Sequence, residues 1–180
     1  THHAHYDYGA GYCIFNDLAV SARYAQQMGV QKILIIDLDV HQGDGTASIF
    51  QGDDGVFTFS MHCEKNFPFH KQKSDLDVPI AEFTEDEEYL TLLKKHLSSV
   101  IKEYRPTLVL FQAGVDGLKS DRLGRLSLSR TGLQARNYYI YQTSSYWDCS
   151  KVSLEKQKNI FEGSFEQSVT SLEKLLLEVL

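Results

Sequence analysis

Apolar and polar positions along this chain fall into blocks of two kinds. Short continuous apolar runs occupy residues 32–37 (Lys-Ile-Leu-Ile-Ile-Asp), 56–62 and 107–114. Runs of this length, rich in Ile, Val, Leu and Phe, predict strands buried on both faces. Helical patterns lie before the first run and between the second and third. One helix is predicted to begin at Asn16-Asp17, both good N-cap residues, and to stop at Gly29. A second follows Thr84-Glu85-Asp86-Glu87, which reads as a capping box. Its apolar residues Tyr89, Leu90, Leu93, Leu97, Val100 and Ile101 recur at helical spacing, and Arg105-Pro106 closes it. A last amphipathic segment is expected over residues 165–180. The alternation of strand and helix predicts an α/β fold with a parallel sheet.

Composition narrows the class. With 180 residues, 42% hydrophobic and 23% charged, the chain is long enough for one globular domain with a sizeable core. A net charge of −6 argues against direct nucleic-acid binding, which leaves a basic footprint, but it is compatible with a basic peptide substrate. Three cysteines without CxxC spacing (Cys13, Cys63, Cys149) favour neither a disulfide scaffold nor a zinc ribbon. They suggest a reducing intracellular compartment, with nucleus, cytoplasm and organelle all open. No apolar stretch is long enough to span a bilayer and no leader pattern is present, so no membrane association is expected.

Chemistry appears where the first strand ends. Residues 37–46 read Asp-Leu-Asp-Val-His-Gln-Gly-Asp-Gly-Thr. Side chains two apart in an extended segment point the same way, so Asp37, Asp39 and His41 fall on one side of the chain if it stays extended. Oxygen and nitrogen donors at a strand exit suit a zinc ion in a hydrolytic site, although the residues alone leave the metal's identity open. Ligands of open parallel sheets bind beyond the strands' carboxyl ends, and Asp116 follows the third run. It could therefore converge with Asp39 and His41. The start of the chain, Thr1-His2-His3-Ala4-His5, would by itself be read as solvated residues or a tag remnant.

Taken together these motifs form an ordered series: His2-His3-Ala4, Gly11-Tyr12-Cys13-Ile14-Phe15-Asn16-Asp17, the cluster at 37–46, Ser60-Met61-His62, Gln112-Ala-Gly-Val-Asp-Gly117 and Ser120-Asp121-Arg122-Leu123-Gly124. The series resembles the zinc-dependent histone deacetylase superfamily, which includes acetoin-utilisation proteins and acetylpolyamine amidohydrolases. The resemblance covers about residues 1–137 and implies an arginase-like parallel sheet flanked by helices. It also implies hydrolysis of the amide of an acylated lysine, in a histone or another protein, or of an acylated polyamine. By motif, Asp39, His41 and Asp116 would hold Zn2+. His3 would be the general base and His2 its electrostatic support, with Asp37 behind His2 and Asp44 behind His3. Asp44 also reads as a turn residue before Gly45. Gly11, Tyr12 and Phe67 would line an acyl-lysine channel, though Phe67 beside Pro68 is equally an ordinary packing residue. A structural K+ ion could be surrounded by Asp37, Asp39, His41, Ser60 and Met61, largely through main-chain oxygens.

Two departures qualify the resemblance. The tandem histidines stand at positions 2 and 3, whereas family members carry substantial sequence before them. The family's oxyanion-stabilising tyrosine, in a glycine-rich loop, has no counterpart beyond Asn137. Tyr138, Tyr139, Tyr141 and Tyr146 do not lie in matching context. The chain is thus expected to be truncated at both ends. Residues 1–137 are read as a deacetylase-like core fragment and 138–180 as a divergent helical tail of the same domain. The alternatives are a catalytically impaired, metal-binding interaction protein and a two-metal hydrolase of the arginase type. Oligomeric state is left open.

Overall fold

The computed structural model describes residues 1–143. The amphipathic segment expected over 165–180, Tyr146 and Cys149 lie outside the described residues. The described elements run in the order α1 (Asp17–Gln27), β1 (Ile33–Asp37), α2 (Asp44–Ile49), β2 (Val56–Cys63), β3 (Leu76–Ile80), α3 (Asp86–Tyr104), β4 (Leu108–Gln112) and α4 (Arg130–Thr143).

The four strands form one sheet in the order β3-β2-β1-β4. Every pairing is parallel. All five residues of β1 are buried, as an apolar run between two neighbouring strands requires. Among the described residues β4 stands at the sheet edge, and it is half-buried along its length. One core cluster joins Leu34 and Ile36 to Phe59 and Met61 of β2, Leu93 and Leu97 of α3, and Leu133 and Ile140 of α4. Ile33 and Ile35, one residue out of phase, point to the opposite face. The parallel sheet flanked by helices is the α/β arrangement that the apolar periodicity predicts.

Three local features carry the register. Asn16 caps α1, its Oδ1 accepting from Ala19 N at 3.0 Å, and Gly29 ends the helix at φ 88°. The capping box expected at Thr84–Glu87 does not form: Glu85 is the N-cap and makes no side-chain cap bond. Ser129 uses the next carboxylate instead, donating from its backbone N–H to Asp86 Oδ1, which ties the start of α3 to the start of α4. β3, Leu-Asp-Val-Pro-Ile, tolerates Pro79 because it is an edge strand and can forgo a donor.

The topology also selects a place for ligands. From β1 the chain builds toward β2 and β3 on one side, then crosses to add β4 on the other. The carboxyl ends of β1 and β4 therefore flank the point where the strand order reverses, where crevices form in such sheets. Among the described residues, no helix is long and apolar enough to cross a membrane.

Candidate metal and proton-transfer site

Asp39 and His41 leave the end of β1, and Asp116 leaves the end of β4. The register pairs Asp37 with Gln112, and Leu38 N–H donates to Gln112 O at 3.1 Å, so the two exits stay side by side for a further residue. Asp39, His41 and Asp116 each offer a ligand atom, all within 4.8 Å of one another. His41 Nδ1 lies 3.1 Å from Asp39 Oδ1 and 3.0 Å from Asp116 Oδ2. Asp116 Oδ1 accepts from Val40 N–H at 3.0 Å, and Asp39 Oδ1 from His41 N–H at 3.0 Å. Backbone donors thus orient both carboxylates before any ion is considered.

The electrostatics fit a cation. Burial opposes a charged His41, but hydrogen bonds and charge from Asp116 and Asp39 overcome it and push its pKa up to about 9. A proton is drawn to the place where two carboxylates call for positive charge. Burial likewise opposes ionisation of Asp39, yet the His41 hydrogen bond and the charge of His2 hold it below the usual carboxylate range. One imidazole and two carboxylates at such separations form a donor set that zinc accepts, with room for a further ligand.

Two histidine–carboxylate pairs stand beside this triad. His2 Nδ1 meets Asp37 Oδ2 at 2.5 Å, and His3 Nδ1 meets Asp44 Oδ1 at 2.6 Å. Because a carboxylate only accepts, each Nδ1 carries a proton. The two Nε2 atoms face each other at 3.1 Å. Burial would suppress a charge on His2, but Asp37 outweighs it and raises the pKa above the ordinary histidine value. Both side chains are buried although they belong to the first three residues. Asn16 explains this: its Nδ2 donates to Ala4 O at 3.1 Å and to Thr46 Oγ1 at 3.0 Å, and Thr46 N–H donates to His2 O. The N-cap of α1 thereby also anchors the histidine segment.

A cavity of about 680 Å³ opens onto this assembly, lined by His2, His3, Asp39 and His41 at its base and by Gly11, Tyr12 and Phe67, among others. Phe67 packs edge-on against His3 with ring centroids 4.9 Å apart. Gly11, at φ 53°, lies so close to the His3 ring that no Cβ fits. Tyr12 borders the cavity with its side chain fully exposed. Tyr138, Tyr139 and Tyr141 lie on α4, and none of them lines the cavity. Ser60 stands opposite Asp37 in the sheet, with Met61 next to it.

Two further residues escaped the reading of the sequence. Arg136 of α4 is fully buried, and its Nη1 donates to Leu38 O at 3.0 Å and Gly114 O at 2.9 Å. It clamps together the two strand exits that carry Asp39 and Asp116. Its signal was a basic residue between Leu133 and Ile140 in a helical apolar stripe. His5 is the other. Its Nε2 lies 3.3 Å from Asp44 Oδ2, and nothing in a lone histidine five residues from the start pointed to that contact.

Comparison with known proteins agrees with this geometry. The histone deacetylase domain model matches residues 1–155. An uncharacterized protein of Picosynechococcus sp. is 54% identical over 144 residues, covering 79% of this chain and 48% of the relative. Acetoin utilization protein AcuC of Staphylococcus aureus is 33% identical over 158 residues, covering 81% of this chain and 41% of the relative. An HDAC homologue crystallised with SAHA superposes with a TM-score of 0.73 at 30% identity, covering 78% of this chain and 41% of the other. The chain therefore spans less than half the length of these proteins. With the domain matched across most of its length and the fold shared with a solved homologue, the chain belongs to the histone deacetylase family.

Proposed function

We propose that this chain carries the metal-binding and proton-handling part of a zinc-dependent deacetylase. The reaction is hydrolysis of the amide of an acylated lysine, in a histone or another protein, or of an acylated polyamine, releasing acetate or a longer acyl acid. The observation that carries it is the Asp39–His41–Asp116 donor set beside two carboxylate-backed histidines, with Asp39, His41, His2 and His3 lining one cavity.

Zinc held by Asp39, His41 and Asp116 would supply Lewis acidity toward the scissile carbonyl and the attacking water. The remaining work falls to the chain. His3, with Nδ1–H fixed on Asp44, presents Nε2 to take a proton from water and return it to the departing amine. His2, its pKa raised by Asp37 against the opposing effect of burial, would steady negative charge growing beside it. Gly11, Tyr12 and Phe67 receive the aliphatic stem, whose methylenes exchange water for the Phe67 ring. Asp37, Asp39, His41, Ser60 and Met61 would hold a structural K+ ion, largely through main-chain oxygens, a reading that the Asp37–Ser60 register supports.

Metal analysis tests the site, and acid release tests the reaction. One zinc per chain is expected, lost in Asp39→Ala and in Asp116→Ala. Acetate release from an acetyl-lysine peptide and from an acetylpolyamine is then measured with this chain and with a form extended at both ends. A folded, zinc-loaded extended form that releases no acyl acid from acylated versions of either substrate refutes the proposal.

A further inference from the structure

Asp44 does more than back one histidine. Its Oδ1 lies 2.6 Å from His3 Nδ1 and its Oδ2 lies 3.3 Å from His5 Nε2. A carboxylate held by one oxygen can still turn about its last side-chain bond. One held by both cannot, and the ring it supports inherits that order. His5 is in turn restrained on every side. Ser48 Oγ, which is tied to Gly45 O at 2.9 Å, lies 2.7 Å from His5 Nδ1. The Tyr8 ring stacks on the imidazole at 4.3 Å with planes 13° apart. His5 N–H donates to Tyr8 O at 2.9 Å, so residues 5–8 fold back over the ring. The His5 side chain is only 7% exposed despite its place near the start of the chain.

We propose that His5 is a positioning residue for the reaction: through Asp44 it fixes the orientation of His3, with Ser48 and Tyr8 holding His5 itself. The unit is an ordered run, His3–Asp44–His5–Ser48, leading away from the cavity. His5 touches neither the metal donors nor the cavity, so it acts on the rate through the direction in which His3 Nε2 points and not through substrate contact. Displacement of a proton-transfer group by a fraction of an ångström is enough to slow a reaction whose geometry is otherwise intact.

The inference rests on the deacetylase reading for the proton that His3 moves, and the test separates the two. His5→Ala and His5→Gln are made in the zinc-loaded chain and in its extended form. The glutamine amide N–H can still reach Asp44 Oδ2, whereas alanine leaves that oxygen without its partner. In His5→Ala, kcat on an acetyl-lysine peptide should fall about 10-fold, at the low end of what losing such a supporting contact costs. KM and zinc content should be unchanged, and His5→Gln should recover most of the loss. The NMR resonance of the His3 Nδ1 proton reports the Asp44 bond without any turnover. It should move in His5→Ala and return toward its original position in His5→Gln. Wild-type kcat with an unmoved resonance in His5→Ala overturns the proposal. So does a loss expressed in KM or zinc content, or an equal loss in both variants accompanied by a lower unfolding temperature. Absence of turnover in every form would refute the deacetylase reading, while the resonance would still decide the role of His5.

Discussion

Gly114→Ala would perturb the metal site without replacing a donor. Gly114 lies two residues before Asp116, and its carbonyl accepts from buried Arg136. A Cβ built there would stand 2.5 Å from Asp39 Oδ2 and 2.8 Å from Asp39 Cα. Unbonded heavy atoms settle at about 3.5 Å, so the two strand exits must part by roughly 1 Å. The Asp39 side chain could turn away, but the contact with Asp39 Cα is with backbone, and a rotamer change cannot absorb it. Ligand distances in a working site hold within about 0.2 Å, so the displacement exceeds the tolerance about five-fold. The expected result is zinc affinity about 10²-fold weaker, or roughly 2.7 kcal/mol, read by competition with a chromophoric chelator at neutral pH. Overpacking should also cost the metal-free protein about 1–3 kcal/mol in urea unfolding. Gly117→Ala is the control, because the nearest atoms its Cβ would meet are side-chain carbons of Leu128, at 3.1 and 3.8 Å, and Leu126, at 3.9 Å. If Gly114→Ala binds zinc as tightly as the unmodified chain, close approach of the two exits does not set the donor spacing and the argument fails.

Other outcomes follow from contacts already described. Burial resists ionisation of Asp44, but hydrogen bonds and charge from His3 and His5 hold its carboxyl below the usual range. Its contribution is thus present above about pH 4, the ordinary carboxylate value, and is lost as pH falls through the depressed one. Asp44→Asn should flatten the loss of stability as pH falls below about 4 in urea titrations; parallel curves would contradict this. Asn16→Ala removes the α1 cap and a buried donor to Ala4 O and Thr46 Oγ1. It should cost about 2–3 kcal/mol by denaturant unfolding, and a loss below about 0.5 kcal/mol would show that the segment is anchored elsewhere. Arg105 ends α3 at φ 54°, a left-handed conformation that strains a residue with a Cβ. Arg105→Gly should therefore stabilise the chain by about 0.5–1 kcal/mol despite glycine's entropy, raising Tm by a few degrees; a fall would refute it.

Elements with uniform patterns were legible in the chain. β1 and β4 follow from continuous apolar runs, and α1 and α3 from periodic ones with plain ends at Asn16, Gly29 and Arg105-Pro106. β3 was not, because Asp77 and Pro79 break its apolar character and only an edge position makes them tolerable. α4 was hidden in a similar way: a glycine at 132 and a charge at 136 interrupt its stripe, and both face the interior. The capping box misled because the helix starts one residue later than it implies, with Glu85 and not Thr84 at the cap position.

The chain by itself determined the kind of chemistry. Two carboxylates and an imidazole, Asp37, Asp39 and His41, crowd the exit of a buried strand, and that crowding is readable without the fold. It could not determine which distant groups join them. Asp116 meets His41 across 75 positions because β4 pairs with β1 and not with β3. His3 and His5 share Asp44 because Asn16 and Thr46 hold the start of the chain down. Arg136 reaches both exits across 98 and 22 positions. Such meetings depend on strand order and on which buried polar groups find partners. Both are settled by the whole packed structure, because a local pattern constrains only neighbours along the chain.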